Sequence, residues 1–226
     1  VLAIATAYFA LPIGLGKAVH ADSDLPKVFM PVSEAMKLRS YWAALFANFA
    51  NGFSSFGLRV ALVPLFVIEV LNGSPSLASQ GFFVAAITQA AMLIPAGRVS
   101  DFKSRKLAIL IGSFLLSVGL FSLIANENRS VYFFAMAAMG GAAAFLTAGP
   151  SATIGDIVGE RRGGPVVASY QMTNDFGAII GPLILGALHD LTGSYQEPFI
   201  LALSLVAISI VVTTAMPATK KISEKA

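Results

Sequence analysis

The feature that most constrains this fold is a series of long apolar runs separated by short polar loops. A helix that crosses the hydrocarbon core of a bilayer needs about 20 predominantly apolar residues. Six runs close to that length or longer predict six spans: Tyr41–Leu71, Ala78–Gly97, Leu107–Asn126, Val131–Gly155, Gly164–His189 and Pro198–Thr219. Charged residues make up 12% of the chain, about half their usual share in soluble domains. The predicted fold class is an all-α membrane protein with a six-helix transmembrane bundle.

The placement of Lys and Arg predicts the orientation of this bundle. Thirteen of these residues fall in segments on one side of the predicted spans, and Arg129 is the one that falls on the other side. Arg59 is the remaining one and lies inside a span. Loops rich in Lys and Arg face the cytoplasm. We therefore expect an integral, multi-pass protein of the plasma (inner) membrane, with its C-terminus in the cytoplasm.

The polar and apolar segments divide the chain into four regions. Residues 1–16 are apolar and uncharged but shorter than a span, so they are interpreted as the end of a truncated transmembrane helix. Residues 17–40 form a polar cytoplasmic loop between two bundles, with a short surface helix expected near Ser33–Leu38. Residues 41–219 form the six-span bundle, and residues 220–226 are a cytoplasmic tail.

The hinge, Gly97–Lys106, joins the second and third of these spans. It carries five charges in ten residues, which cannot lie in hydrocarbon. The chain must therefore leave the membrane here and re-enter almost at once. Orientation requires its positive charge but not Asp101, which we expect to accept hydrogen bonds from a helix N-terminus. Arg105 is expected to pair with Asp156. The simpler alternative is a loop that is basic for orientation alone.

Two motifs in these segments carry a resemblance to a known family. The pattern of Gly97, Asp101, Arg105 and Lys106 resembles the loop signature of the major facilitator superfamily of transporters, although Phe102 and Ser104 depart from it. The run Gly177–Gly186 resembles the Gly-x-x-x-Gly-Pro-x-x-x-Gly signature of drug:proton antiporters in this superfamily.

The resemblance implies half of a twelve-span fold, and the order of the segments fits the C-terminal half. The implied function is proton-coupled efflux of small amphiphilic molecules by alternating access. The implied partners are the lipid bilayer, a missing N-terminal bundle of the same protein, a small-molecule substrate and protons. By the same resemblance, Asp101, Arg105 and Asp156 form a gating contact on the cytoplasmic side.

Charged and polar side chains within the spans are the candidate substrate and proton pathway. Insertion of an Arg at mid-helix costs about 2.5–3.5 kcal/mol, so Arg59 must face protein or water. Asp175 is its expected partner, and a role for Asp175 in proton coupling is one hypothesis; a permanent ion pair is the other. Gln171, which shares a helix face with Asp175, and Asn48 and Asn51 either line a polar cavity or join helices by hydrogen bonds.

Small residues and prolines predict how the helices pack. Gly177 and Gly181 form a small-xxx-small pair that permits close helix contact, and Pro182 removes a backbone donor. Proline also interrupts the first, second and fourth spans. The first, fourth and fifth spans are therefore expected to be mobile or to line a cavity, and the third and sixth to be lipid-facing scaffold.

The sequence lacks the residues that several other classes of function require. The chain contains no Cys, and no metal site, cofactor, nucleic-acid patch or catalytic residue is expected. An enzyme is accordingly disfavoured. Two alternatives stay open: a non-transporting receptor or assembly protein that retains the bundle, and a homodimeric six-span transporter.

Overall fold

The computed structural model describes residues 28–217, which form seven helices. The first, α1, is a single turn, Val32–Ala35. The six long helices are α2 (Arg39–Glu69), α3 (Pro75–Lys103), α4 (Arg105–Ala125), α5 (Arg129–Val158), α6 (Gly164–Thr192) and α7 (Gln196–Thr214). The expected truncated helix at residues 1–16, residues 17–27 of the expected loop and the tail lie outside the described residues.

The six long helices confirm the predicted fold class. Five of them, all except α6, are long and apolar enough to cross a membrane by length and composition. Helix α6 is also long, at 29 residues, but Gln171, Asn174 and Asp175 lower the apolar content of its middle. The short helix expected near Ser33–Leu38 is shorter than predicted, since α1 ends at Ala35.

The hinge differs from the predicted ten-residue loop. Helix α3 continues through it as a π-helical segment, Val99–Lys103, and α4 begins at Arg105. Ser104 alone reverses the chain, with an extended backbone (φ −166°, ψ 136°). Its amide donates to the Val99 carbonyl at 3.0 Å, which closes the last π turn. The charges are therefore placed on helix ends rather than on a flexible loop.

Helix α2 has an unusual middle. An α-helical part, Arg39–Gly52, is followed by a π-helical part, Phe53–Leu62, and by a second α-helical part, Val63–Glu69. Pro64 lies just after the π-helical part and has no amide hydrogen for an i→i−4 bond. In α5 and α6, by contrast, Pro150 and Pro182 lie inside helices that are α-helical throughout.

The helices pack in an order that leaves one face open. Helix α5 is the most buried of the apolar helices and packs against α3 and α4. Helix α4 packs on α7, and α2 packs on α6, α5 and α7. Helices α3 and α6 make no extensive contact with each other. They therefore flank a face at which α2 and α5 are accessible.

The segment before α2 is attached to the loop between α5 and α6. The Met30 amide donates to the Arg162 carbonyl at 3.1 Å, and the Arg162 amide donates to the Val28 carbonyl at 3.2 Å. Arg161 adds an ion pair with Glu34 at 2.7 Å. These bonds hold residues 28–35 at the end of the bundle that also carries the hinge, called the hinge end below.

Candidate functional site

A polar cleft lies on the open face between α3 and α6. Its volume is about 520 Å³. No lining residue comes from α4 or α7, which agrees with the expectation that these helices are scaffold. The lining residues are Asn48, Asn51, Ser55, Phe56, Arg59, Gln89, Ala143, Thr147, Ser151, Tyr170, Gln171 and Asn174.

Four of the predicted pathway residues line this cleft, and two of them also make defined bonds. Asn48 is buried, and its Nδ2 donates to the Tyr170 carbonyl at 2.8 Å, which joins α2 to α6. The Asn51 Oδ1 accepts from the Ser55 hydroxyl at 3.3 Å. Gln171 and Arg59 complete the set. Gln89 of α3 lies on the opposite wall.

The expected pair between Arg59 and Asp175 is not formed, and that prediction is wrong. Helices α2 and α6 run in the same direction, because Gly52 lies against Asn174 and Gly57 lies against Gly181. Arg59 is therefore about eight positions beyond Asp175 along the shared axis, or roughly 12 Å. Asp175 is exposed and does not line the cleft. The Nε of Arg59 is buried and has no hydrogen-bond partner among residues 28–217.

Glycines bring the backbones of α2 and α6 into contact. A Cβ atom added to Gly57 would lie 2.6 Å from the Cα of Gly181 and 3.2 Å from the nitrogen of Pro182. A Cβ atom on Gly177 would lie 2.6 Å from the Phe49 carbonyl oxygen. One added to Gly186 would meet no atom of residues 28–217 within 4 Å. The first two glycines of the motif therefore pack the helices, and the third does not.

The hinge carries a charged cluster centred on Arg105. The expected contact is present: Nε donates to Asp156 Oδ2 at 3.0 Å, and Nη2 lies 3.4 Å from Oδ1. Nη1 donates to the Ser100 hydroxyl at 3.1 Å and pairs with Asp101. Asp101 lies in the last turn of α3, and its carboxylate pairs with Arg105 instead of accepting from the amides of a helix N-terminus, so that expectation is wrong. The cluster joins α3, α4 and α5.

Two other hinge residues differ in what they do. Lys106 donates to the carbonyls of Thr214 at 2.7 Å and Met216 at 2.8 Å, so it caps the end of α7. This long-range bond left no local signal in the sequence. Among the residues that the structure describes, none lies within 4 Å of where a Gly97 side chain would begin, so close packing within them does not explain this glycine.

A second polar cluster lies at the end of the bundle opposite the hinge, and it was not predicted from the sequence. The Tyr195 hydroxyl donates to Glu69 Oε2 at 2.6 Å. The Nε2 of His189 lies 4.0 Å from the same oxygen, and its ring lies 4.2 Å from the Tyr195 ring. Burial, followed by the hydrogen bond to Glu69 and its charge, raises the pKa of Tyr195 well above its ordinary value. Tyr195 therefore stays a donor at neutral pH.

Replacing Tyr195 by Phe is expected to lower the free energy of unfolding by about 1 kcal/mol, because one hydrogen bond between α2 and α7 is lost. Chemical denaturation in detergent measures this change. Ser204→Ala is the control, since within the described part of the chain that hydroxyl bonds only the Ile200 carbonyl of its own helix. Equal stability of the Phe variant and the wild type would show that the bond contributes nothing.

A bundle of apolar helices with a polar cleft along one face defines a multi-pass membrane protein of the transporter class. Residues 44–225 match the family model of the Major Facilitator Superfamily. The match covers well over half of the chain, and the chain belongs to this family. The resemblance stated from the hinge and glycine motifs is thereby confirmed. This is a family of transporters and not of enzymes.

Individual relatives and solved structures agree with this assignment. The chain is 30% identical over 173 residues to Multidrug resistance protein 1 of Bacillus subtilis. The aligned region covers 75% of this chain and 43% of the relative. It is 26% identical over 175 residues to Quinolone resistance protein NorA of Staphylococcus aureus, with coverage of 76% and 44%. The chain thus spans less than half the length of these relatives.

The fold is also similar to that of the peptide transporter POT, whose crystal structure was determined in complex with sulfate. The TM-score is 0.68 at 21% identity, and the match covers 79% of this chain and 37% of that one. This similarity concerns the fold alone.

Proposed function

We propose that this chain is the C-terminal bundle of a proton-coupled secondary transporter that exports small amphiphilic molecules by alternating access. The observation that carries the proposal is the polar cleft of about 520 Å³ on the open face of the bundle. In secondary transporters the substrate site lies near the bilayer midplane between two bundles. The cleft would then be one wall of that site, and an N-terminal bundle of the same protein would supply the other.

The relatives support the efflux part of this proposal. The names of these two relatives describe resistance to multiple drugs and resistance to quinolones. Export of a toxic small molecule from the cell is a direct route to such resistance. The basic hinge supports a cytoplasmic hinge end and C-terminus in the plasma (inner) membrane. A non-transporting receptor or assembly protein has no specific observation in its favour, and neither has a homodimeric six-span transporter.

Everted membrane vesicles that contain the full-length protein test this function. When the vesicle interior is acidified by respiration, we expect uptake of a fluorescent amphiphile, and a protonophore should abolish it. Vesicles without the protein are the control. Equal uptake in both preparations, over a panel of cationic, neutral and anionic amphiphiles, would refute export by this protein.

The Arg105 cluster is proposed to hold the cytoplasmic side closed in one of the two transport states. Arg105→Gln should weaken it by about 1 kcal/mol, since both carboxylates are partly exposed. That energy corresponds to an approximately fivefold shift between states. This chain has no Cys of its own, so Ser151→Cys places a single thiol in the cleft of this bundle. In the full-length protein, with any cysteine of the other bundle replaced, that thiol should react about fivefold faster with a maleimide added from the cytoplasmic side.

Arg98→Gln is the matched control for this measurement. Arg98 lies in the same hinge, is exposed, and forms no ion pair with the residues that the structure describes. Equal labelling rates for Arg105→Gln and Arg98→Gln would show that the hinge charges set the membrane orientation of the bundle and do not hold its cytoplasmic side closed.

A further inference from the structure

Arg59 is the only charged residue among those that line the cleft of the described bundle. Its guanidinium lies in the π-helical middle of α2, half-buried, and its Nε is shielded from solvent with no acceptor among residues 28–217. A charge removed from water is costly unless a counter-charge and hydrogen bonds compensate it. The cleft therefore carries an unneutralised positive charge that an anionic group would satisfy.

The acidic residues within 28–217 do not supply that group. Asp175 is roughly 12 Å away along the helix axis. Glu69 accepts from Tyr195 at the far end of α2. Asp101 and Asp156 are held by Arg105 at the hinge end.

The neighbours of Arg59 define the shape and chemistry of a matching ligand. An Arg fork binds a carboxylate through two parallel N–H donors. The side-chain amides of Asn51, Gln89 and Gln171 offer further donors around it. Phe56 is 52% exposed and also lines the cleft, so an aromatic ring can pack beside the charged end.

We propose that the cleft binds aromatic organic anions, with the ligand's carboxylate on the Arg59 guanidinium and its ring beside Phe56. This rests on the proposed function, because it takes the cleft as the substrate path. It narrows the substrate class from amphiphiles in general to those with an anionic group. The rival occupant is a carboxylate from another segment of the same protein, which would neutralise Arg59 and exclude anions.

Binding of two matched probes to the purified full-length protein tests the inference. Anthracene carboxylate and the neutral anthracene carboxamide share one fluorescent ring system and differ in charge. We expect the wild type to bind the carboxylate about tenfold tighter, as a charge-assisted bidentate bond permits. Arg59→Gln should abolish this preference by weakening carboxylate binding about tenfold, with carboxamide binding unchanged. Arg59→Lys should retain part of the preference, since it keeps the charge but loses the fork.

Arg129→Gln is the matched control, because Arg129 is the first residue of α5 and lies outside the cleft. It should leave both dissociation constants unchanged. Equal affinity of the wild type for the two probes would overturn the inference and would point to an internal carboxylate on Arg59. This comparison needs no variant, so it stands even if Arg59→Gln fails to fold. Binding is read without transport, so a failure of export in vesicles would reject the proposed function separately.

Discussion

Replacing Gly57 with Ala is expected to destabilise the bundle by about 3 kcal/mol. The new Cβ atom would lie 2.6 Å from the Cα and 2.8 Å from the carbonyl carbon of Gly181. Both are backbone atoms, so no side-chain rotation relieves the contact and the helices must separate. Separation would also weaken the nearby bond from Asn48 to the Tyr170 carbonyl. Denaturant titration of the purified protein in detergent measures the loss.

Gly186→Ala is the control for this prediction because it makes the same chemical change in α6. Its Cβ atom would meet none of the described residues within 4 Å, and Ala favours a helix over Gly by up to about 1 kcal/mol. We therefore expect equal or greater stability for that variant. Similar destabilisation by the two substitutions would show that close approach of α2 and α6 is not what the glycines provide.

Replacing Asp175 with Asn is expected to abolish proton-driven export while leaving insertion intact. Among residues 28–217, Asp175 is the one carboxylate in the middle of a long helix, since the others lie at helix ends or in loops. It is exposed on α6 next to Asn174, which lines the cleft. A carboxylate there can take up and release a proton, and the amide cannot. Proton-gradient-driven uptake into everted vesicles should fall to the level of vesicles without the protein.

Exchange of substrate without a proton gradient distinguishes loss of coupling from loss of binding, and Asp175→Asn should retain that exchange. Asp190→Asn, near the end of the same helix, is the matched control and should export normally. Normal gradient-driven export by Asp175→Asn would reject its role in coupling. That outcome would leave the proposed export itself untouched.

Much of the cleft was foreseeable, and the reason is the cost of polar groups in lipid. Arg59, Asn48, Asn51 and Gln171 were notable because uncompensated polar groups are expensive in hydrocarbon. Such residues must face the inside of a bundle or a cavity, and all four line the cleft. Counted along each span, Arg59 and Asp175 differ in depth by seven positions, or roughly 10 Å, and the pairing assumed that a long Arg side chain would close this gap. The structure keeps a separation of about that size, because the glycine contacts fix the relative height of the two helices.

In the hinge, too, the sequence predicted some contacts and the tertiary structure was needed for others. Its charge pattern correctly predicted an abrupt reversal between two helices and the contact from Arg105 to Asp156. Only the assembled bundle showed that Asp101 lies at the end of α3 and that Lys106 bonds to the end of α7. The cluster of Glu69, His189 and Tyr195 is similar, since three ordinary polar residues become a site only where helix ends converge.

The sequence by itself determined the class of this protein: the number of helices, the family and the set of polar residues that avoid lipid. These follow from the cost of placing charge or an unpaired backbone in hydrocarbon, which acts on each segment separately. Only the tertiary structure decided which polar groups meet. Contact between α2 and α6 through Gly57 and Gly181 sets their relative height. That height separates Arg59 from Asp175 and leaves the guanidinium open to an anion.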